Sequence, residues 1–82
     1  MNQVITPNDP LKSPEIQEMI LSSRIGIIAN ALSERLGIAS HEALIRFYES
    51  ETCRRLHDKT TGLYLYSNLY IVDDFIIEQQ GK

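Results

Sequence analysis

Residues 13–37, SPEIQEMILSSRIGIIANALSERLG, are the stretch whose reading decides the fold. Ser13 offers its hydroxyl to an orphan amide, Pro14 needs no donor, and Glu15 faces the positive end of a helix dipole, so a helix starts here. From Ile16 the residues Met19, Ile20, Ile27, Ala31 and Leu32 recur at steps of three and four, with Ser23 continuing the stripe and Leu36 closing it. Ile25 and Ile28 broaden that stripe, which implies contact with more than one neighbouring element or with a second chain. Gly26 costs about 1 kcal/mol of helix propensity against alanine, and a close helix crossing would explain it. Gly37 supplies the left-handed residue that ends the helix.

Upstream, residues 1–12 carry Pro7 and Pro10 around Asn8 and Asp9, a composition that suits an extended arm with a turn. Downstream, Ser40 is the expected cap of a second helix loaded with Leu44, Ile45, Phe47 and Tyr48. Ser50 is expected to cap a brief third helix with Cys53 and Leu56 inward. Thr61-Gly62 signals a turn. Leu63-Tyr64-Leu65-Tyr66 then alternates, so its leucines share a face if the segment is extended as a hairpin or edge strand, and an irregular loop is the other reading. Ser67 caps a last helix, with Tyr70, Ile71, Phe75 and Ile76 or Ile77 inward and Asp73, Asp74 and Glu78 in water. The expected architecture is mostly α: one helical domain over residues 13–80, a bundle of about four helices, with room for one short strand or extended segment before the last.

Composition narrows the function classes. The chain has 82 residues, 43% hydrophobic and 23% charged, with a net charge of −3, a balance that argues against general affinity for nucleic acid or anionic lipid. Cys53 is the only cysteine, so no internal disulfide can form and a reducing, cytoplasmic setting is expected. The first residues lack the basic and apolar regions of a secretory signal, and charges interrupt the longest helix too often for a membrane span.

No residue pattern points to catalysis. The two histidines, His41 and His57, sit near helix ends, where exposure or a dipole contact is the plain explanation. Cys53 and His57 are four apart and share a helical face, yet Cys53 also falls where a small buried hydrophobe is wanted. One cysteine and two histidines without CxxC or HExxH spacing do not make a metal centre, and no glycine-rich phosphate cradle is present, so neither metal nor cofactor is expected. Asp73, Asp74 and Glu78 read as a solvated helix face. The one basic cluster, Arg54, Arg55, His57 and Lys59, is diluted by Glu49, Glu51 and Asp58, which disfavours a nucleic-acid site.

Tyrosines are more informative. Tyr48, Tyr64, Tyr66 and Tyr70 make up four of the six aromatic residues and combine apolar area with a polar tip, as interfaces favour. The expected site is therefore a protein-binding surface drawn from Tyr64, Tyr66, Tyr70, Asp73 and Asp74, with Ile25 and Ile28 as spare apolar positions for self-association into a homodimer.

The order of features from Ile16 to Glu78 also resembles a known group. An apolar first helix, Leu36-Gly37-Ile38-Ala39-Ser40 before Glu42-Ala43, then Phe47-Tyr48, and finally Thr61-Gly62-Leu63-Tyr64 with Ser67 and Tyr70-Ile71-Val72-Asp73, is similar to a family of small bacterial helical domains of unknown function. Some members of that family are encoded beside ADP-ribosyltransferase-like toxin proteins. The resemblance implies a non-catalytic accessory protein, antitoxin-like or chaperone-like, whose partner is a toxin-type enzyme. It carries no catalytic residue over to this chain, and residues 1–12 fall outside it.

Overall fold

Thr52 and Ser50 are the buried polar residues of the domain, and the bonds they make show how its helices are joined. In the computed structural model, which describes residues 14–81, α1 runs Pro14–Leu36, α2 Ser40–Tyr48, α3 Glu51–His57 and α4 Asn68–Gln80. Two single 3₁₀ turns, Lys59–Thr61 and Leu63–Leu65, link α3 to α4. The expected arm over residues 1–12 and the Ser13 cap lie outside the described residues.

The bundle of four helices agrees with the sequence reading. No strand occurs among the described residues, so the extended alternative for 63–66 is corrected. The alternation there is broken by a 3₁₀ turn that buries Leu63 and leaves Leu65 in water.

The core is built from one face of each helix. α1 contributes Ile25, Ile28, Ala29 and Leu32, α2 Ala43 and Phe47, α3 Cys53 and Leu56, and α4 Ile71, Val72 and Phe75, with Leu63 closing it from the linker. Phe47 and Phe75 meet with ring centroids 5.8 Å apart and planes tilted by 50°, an edge-biased contact that suits aromatic quadrupoles.

This arrangement corrects two expectations for α1. The residues expected to face inward, Met19, Ile20 and Ile27, are exposed. Ile25 and Ile28, expected to be spare for a second chain, are completely enclosed by their own chain. The reason is geometric: Leu21, Ile25, Ile28 and Leu32 also recur at steps of four and three, so α1 carries two apolar stripes. Periodicity alone cannot choose between them. Gly26 is not explained by a close crossing inside the chain either, because a Cβ placed on it would meet nothing within 4 Å.

Helix ends show which caps are used. Gly37 adopts φ +68°, its amide and that of Ile38 donate to the Ser33 carbonyl, and α1 stops. At α2 the cap is Ala39, whose side chain cannot accept, so the expected Ser40 cap is displaced by one residue and Ser40 becomes the first helical residue. At α3 the expectation stands: Ser50 Oγ accepts from the Cys53 amide at 3.0 Å and donates to the Phe47 carbonyl at 2.6 Å. Ser67 likewise accepts from the Tyr70 amide at 3.2 Å.

Glu78 departs from its expected place in water. Its carboxylate accepts from the amides of Glu51 and Thr52, each at 2.9 Å, and from Thr52 Oγ1 at 2.7 Å. The last helix thus caps the first turn of α3 from outside, with negative charge at a positive helix end. Replacing Glu78 with Ala orphans two amides and a buried hydroxyl. The expected loss is about 2 kcal/mol, seen as a lower urea midpoint with unchanged m-value.

Candidate functional site

The linker between α3 and α4 is ordered by short-range polar chemistry. Asp58 Oδ1 accepts from the Thr60 amide at 3.0 Å and from its hydroxyl at 2.7 Å, closing the first 3₁₀ turn. Those two bonds, the hydroxyl first, hold the Asp58 carboxyl below its usual pKa. Gly62 then takes φ +73°, a left-handed conformation that reverses the chain. Thr61 Oγ1 accepts from the Leu63 amide at 3.2 Å.

Arg24 fixes the rest. From the middle of α1 its Nε donates to Asn68 Oδ1 at 2.8 Å, while its two terminal nitrogens donate to the Tyr64 carbonyl at 2.8 Å and the Tyr66 carbonyl at 2.6 Å. A planar fork reaches three separated acceptors from three nitrogens, whereas a lysine would have to donate all three hydrogens from a single nitrogen. Because the backbone carbonyls are pulled toward α1, the segment leading into α4 presents Tyr66 outward. Tyr66 and Tyr70 stack with centroids 4.5 Å apart and planes 23° from parallel.

On α4 the outward face continues through Leu69, Tyr70, Asp73 and Ile77, which follow one another at helical steps. Leu69 is 69% exposed, Ile77 64% and the neighbouring Leu65 74%, values far above those of the core side chains on the opposite face of the same helix. Asp73 lies 3.4 Å from Arg35, but both side chains are more than half or about half in water, so this pair adds little stability.

The expected site residues therefore separate. Tyr66, Tyr70 and Asp73 lie on this outward face, and the expectation that Tyr70 packs inward is corrected by its 48% exposure. Tyr64 turns the other way, onto a groove of about 480 Å³ floored by Ile20, Leu21 and Leu56. Asp74 accepts from Arg55 at 2.9 Å in a partly buried pair that ties α3 to α4, so it is a structural contact. Ile25 and Ile28 belong to the core. Sequence reasoning missed Leu65 and Leu69 altogether, and it counted Ile77 as an inward alternative. Their signal was available in the register of α4: once Ile71, Val72 and Phe75 define the inner face, positions 69, 73 and 77 must lie opposite.

The remaining reactive groups have ordinary settings. His57 Nδ1 lies 2.9 Å from the Cys53 carbonyl and 3.6 Å from Cys53 Sγ. A carbonyl only accepts, so Nδ1 carries the hydrogen and is not poised to take a proton from the thiol. Burial pushes the Cys53 thiol up from its usual pKa, which lowers its thiolate fraction. Among the described residues, no three His, Cys, Asp or Glu side chains gather as a metal site, and no helix is long and apolar enough to cross a membrane. The basic cluster is dispersed: Arg54 pairs with Glu51, Arg55 with Asp74, and Lys59 donates to Gln17 at 2.5 Å.

Comparison with family models, with curated proteins and with solved structures finds no match to this chain.

Arg24→Lys is expected to cost about 1–3 kcal/mol and to release the linker first, seen as faster amide exchange at Leu65 and Tyr66, whose amides hold the second 3₁₀ turn, before the core amides of α1 change. Acid has a defined sign. Glu51, held low chiefly by its bond to Arg54, and Asp58, held low by Thr60, have folded pKa values below their unfolded ones. Their contribution is complete above about pH 4.5 and is lost as the pH falls through the folded values. Melting temperature measured against pH should therefore decline below about pH 4, less steeply in ~1 M salt because the Glu51–Arg54 pair is exposed.

Proposed function

We propose that the chain is a non-catalytic protein-binding module that presents the stacked Tyr66–Tyr70 pair, flanked by Leu65, Leu69 and Ile77, to another protein. The single observation that carries this reading is the set of exposed large apolar and aromatic side chains along α4 and the segment before it, two of them stacked, on a backbone braced by Arg24. Side chains of this type bury much area at small entropic cost, and rigid backbone lowers that cost further. Asp73, beside Arg35, lies between Tyr70 and Ile77 and gives the patch a polar contact point for a partner.

A toxin-type enzyme, the partner class that the family resemblance implies, fits this reading as the protein whose surface the patch would cover, in an antitoxin-like or accessory role. We place the encounter in the cytoplasm, in keeping with a single unpaired cysteine.

Photo-crosslinking in the source cells tests it. A photoreactive residue at Leu69 is expected to trap one defined protein, and the same residue at Glu34 on α1 is expected to trap none. With that protein purified, Leu69→Asp and Ile77→Asp together should weaken binding more than tenfold while the far-ultraviolet spectrum and urea midpoint stay unchanged. Equal binding by the wild type and the double variant would remove the patch from consideration.

A further inference from the structure

The cations of this domain divide into two groups. Six arginines and lysines lie among the described residues. Arg35, Arg46, Arg54 and Arg55 each pair with a carboxylate. Arg24 and Lys59 instead bond neutral oxygens: Arg24 those of the Asn68 side chain and the Tyr64 and Tyr66 carbonyls, Lys59 that of the Gln17 side chain. Among the described residues, then, no acid in contact balances either charge, and both residues line the groove of about 480 Å³ beside Tyr64. Glu18 is the one acid on its rim, in a chain whose net charge is −3.

The shape of the groove limits what can lie in it. Two polar contacts cross from α1 to the linker and mark its ends, Gln17 with Lys59 and Arg24 with the Tyr64 carbonyl. Gln17 and Arg24 are seven residues apart, about 10 Å along the helix. Between them Ile20 and Leu21 share the floor with Leu56, and the rings of Tyr64 and His57 add flat surface. The Tyr64 backbone is held by Arg24 and the His57 ring by the Cys53 carbonyl, so binding need order little else. A helix or an extended strand laid along α1 would have to pass over both cross-contacts. A compact body one or two fused rings long would not.

From the unbalanced charge and the short apolar floor we infer that this groove binds a small aromatic carboxylate. The ring system lies on Ile20, Leu21 and Leu56, with Tyr64 and His57 at its sides. The carboxylate meets the ammonium of Lys59, which gives one hydrogen to Gln17 and keeps two for another acceptor. Arg24 adds positive charge at the far end of the floor. An apolar lining with a few placed polar groups, in a cleft of about 300–1,000 Å³, is the usual make-up of a small-molecule site. No residue of the floor or walls belongs to the α4 patch, so this inference and the protein-binding reading are tested separately.

Titration of the isotope-labelled full chain with 2-naphthoate, followed by amide chemical shifts, is the test. Saturable shifts are expected at Ile20, Leu21, Leu56, His57 and Tyr64, half-complete at about 1 mM or below, and none at Leu69 or Ile77. The uncharged 2-naphthamide should bind about tenfold more weakly. Lys59→Gln should weaken naphthoate binding by a similar factor and Lys59→Arg should preserve it. Both variants should keep the wild-type urea midpoint, because Lys59 is exposed. Shifts that never saturate, equal affinity for acid and amide, or indifference to Lys59→Gln would each overturn the inference. Contacts in the free protein between the Ile20 or Leu21 methyls and Val4 or Ile5 would assign the groove to the chain's own first residues and overturn it too. So would shifts at the floor residues that move with protein concentration alone, which would assign it to a second copy.

Discussion

The guanidinium of Arg24 is where the longest helix and the least regular segment of this protein are held together. Its three bonds reach acceptors 40 to 44 residues away in the chain, two of them backbone carbonyls that no helix ladder could satisfy. The two 3₁₀ turns close through the carbonyls of Asp58, Lys59, Gly62 and Leu63, so without a distant donor those of Tyr64 and Tyr66 would turn to water. The orientation of Tyr66, and through it the stack with Tyr70, follows from this one side chain. The outward patch is thus a product of α1 as much as of α4.

A second long-range polar contact closes the opposite end. Glu78, in the last turns of α4, takes over the amides at the start of α3 that a local side chain would ordinarily serve. Ser50 caps the same helix locally, so α3, only seven residues long, is held at its N-terminus by one hydroxyl and one carboxylate from two directions. So short a helix has little stability alone, and its persistence depends on these caps together with Cys53 and Leu56 in the core. Arg55 with Asp74 adds a third tie between α3 and α4.

How much of this was legible in the sequence differs from residue to residue. The extents of α1 and α3, the cap at Ser50, the cap at Ser67 and the stop at Gly37 follow from local chemistry, and local chemistry is what a sequence displays directly. The inner face of α1 was not legible, because two stripes of equal period lie on opposite sides of that helix and only the neighbours decide which is covered. Arg24 and Glu78 read as ordinary charges for a related reason: their acceptors and donors are distant in sequence, and nothing local marks a guanidinium that braces a linker. Of the candidate site, Tyr66, Tyr70 and Asp73 were found through residue type, whereas Leu65, Leu69 and Ile77 needed the register of α4. Ile25 and Ile28 were misplaced by the same ambiguity in α1.

The enclosed thiol of Cys53 has a consequence for how the domain breathes. It is the chain's one sulfhydryl, sealed among core side chains at the base of α3. An alkylating reagent in the surrounding water can touch it only after α3 has swung clear of its neighbours. The pace of its covalent labelling therefore counts those excursions one by one, and turns an inert interior atom into a timer of the rarest motion the bundle makes.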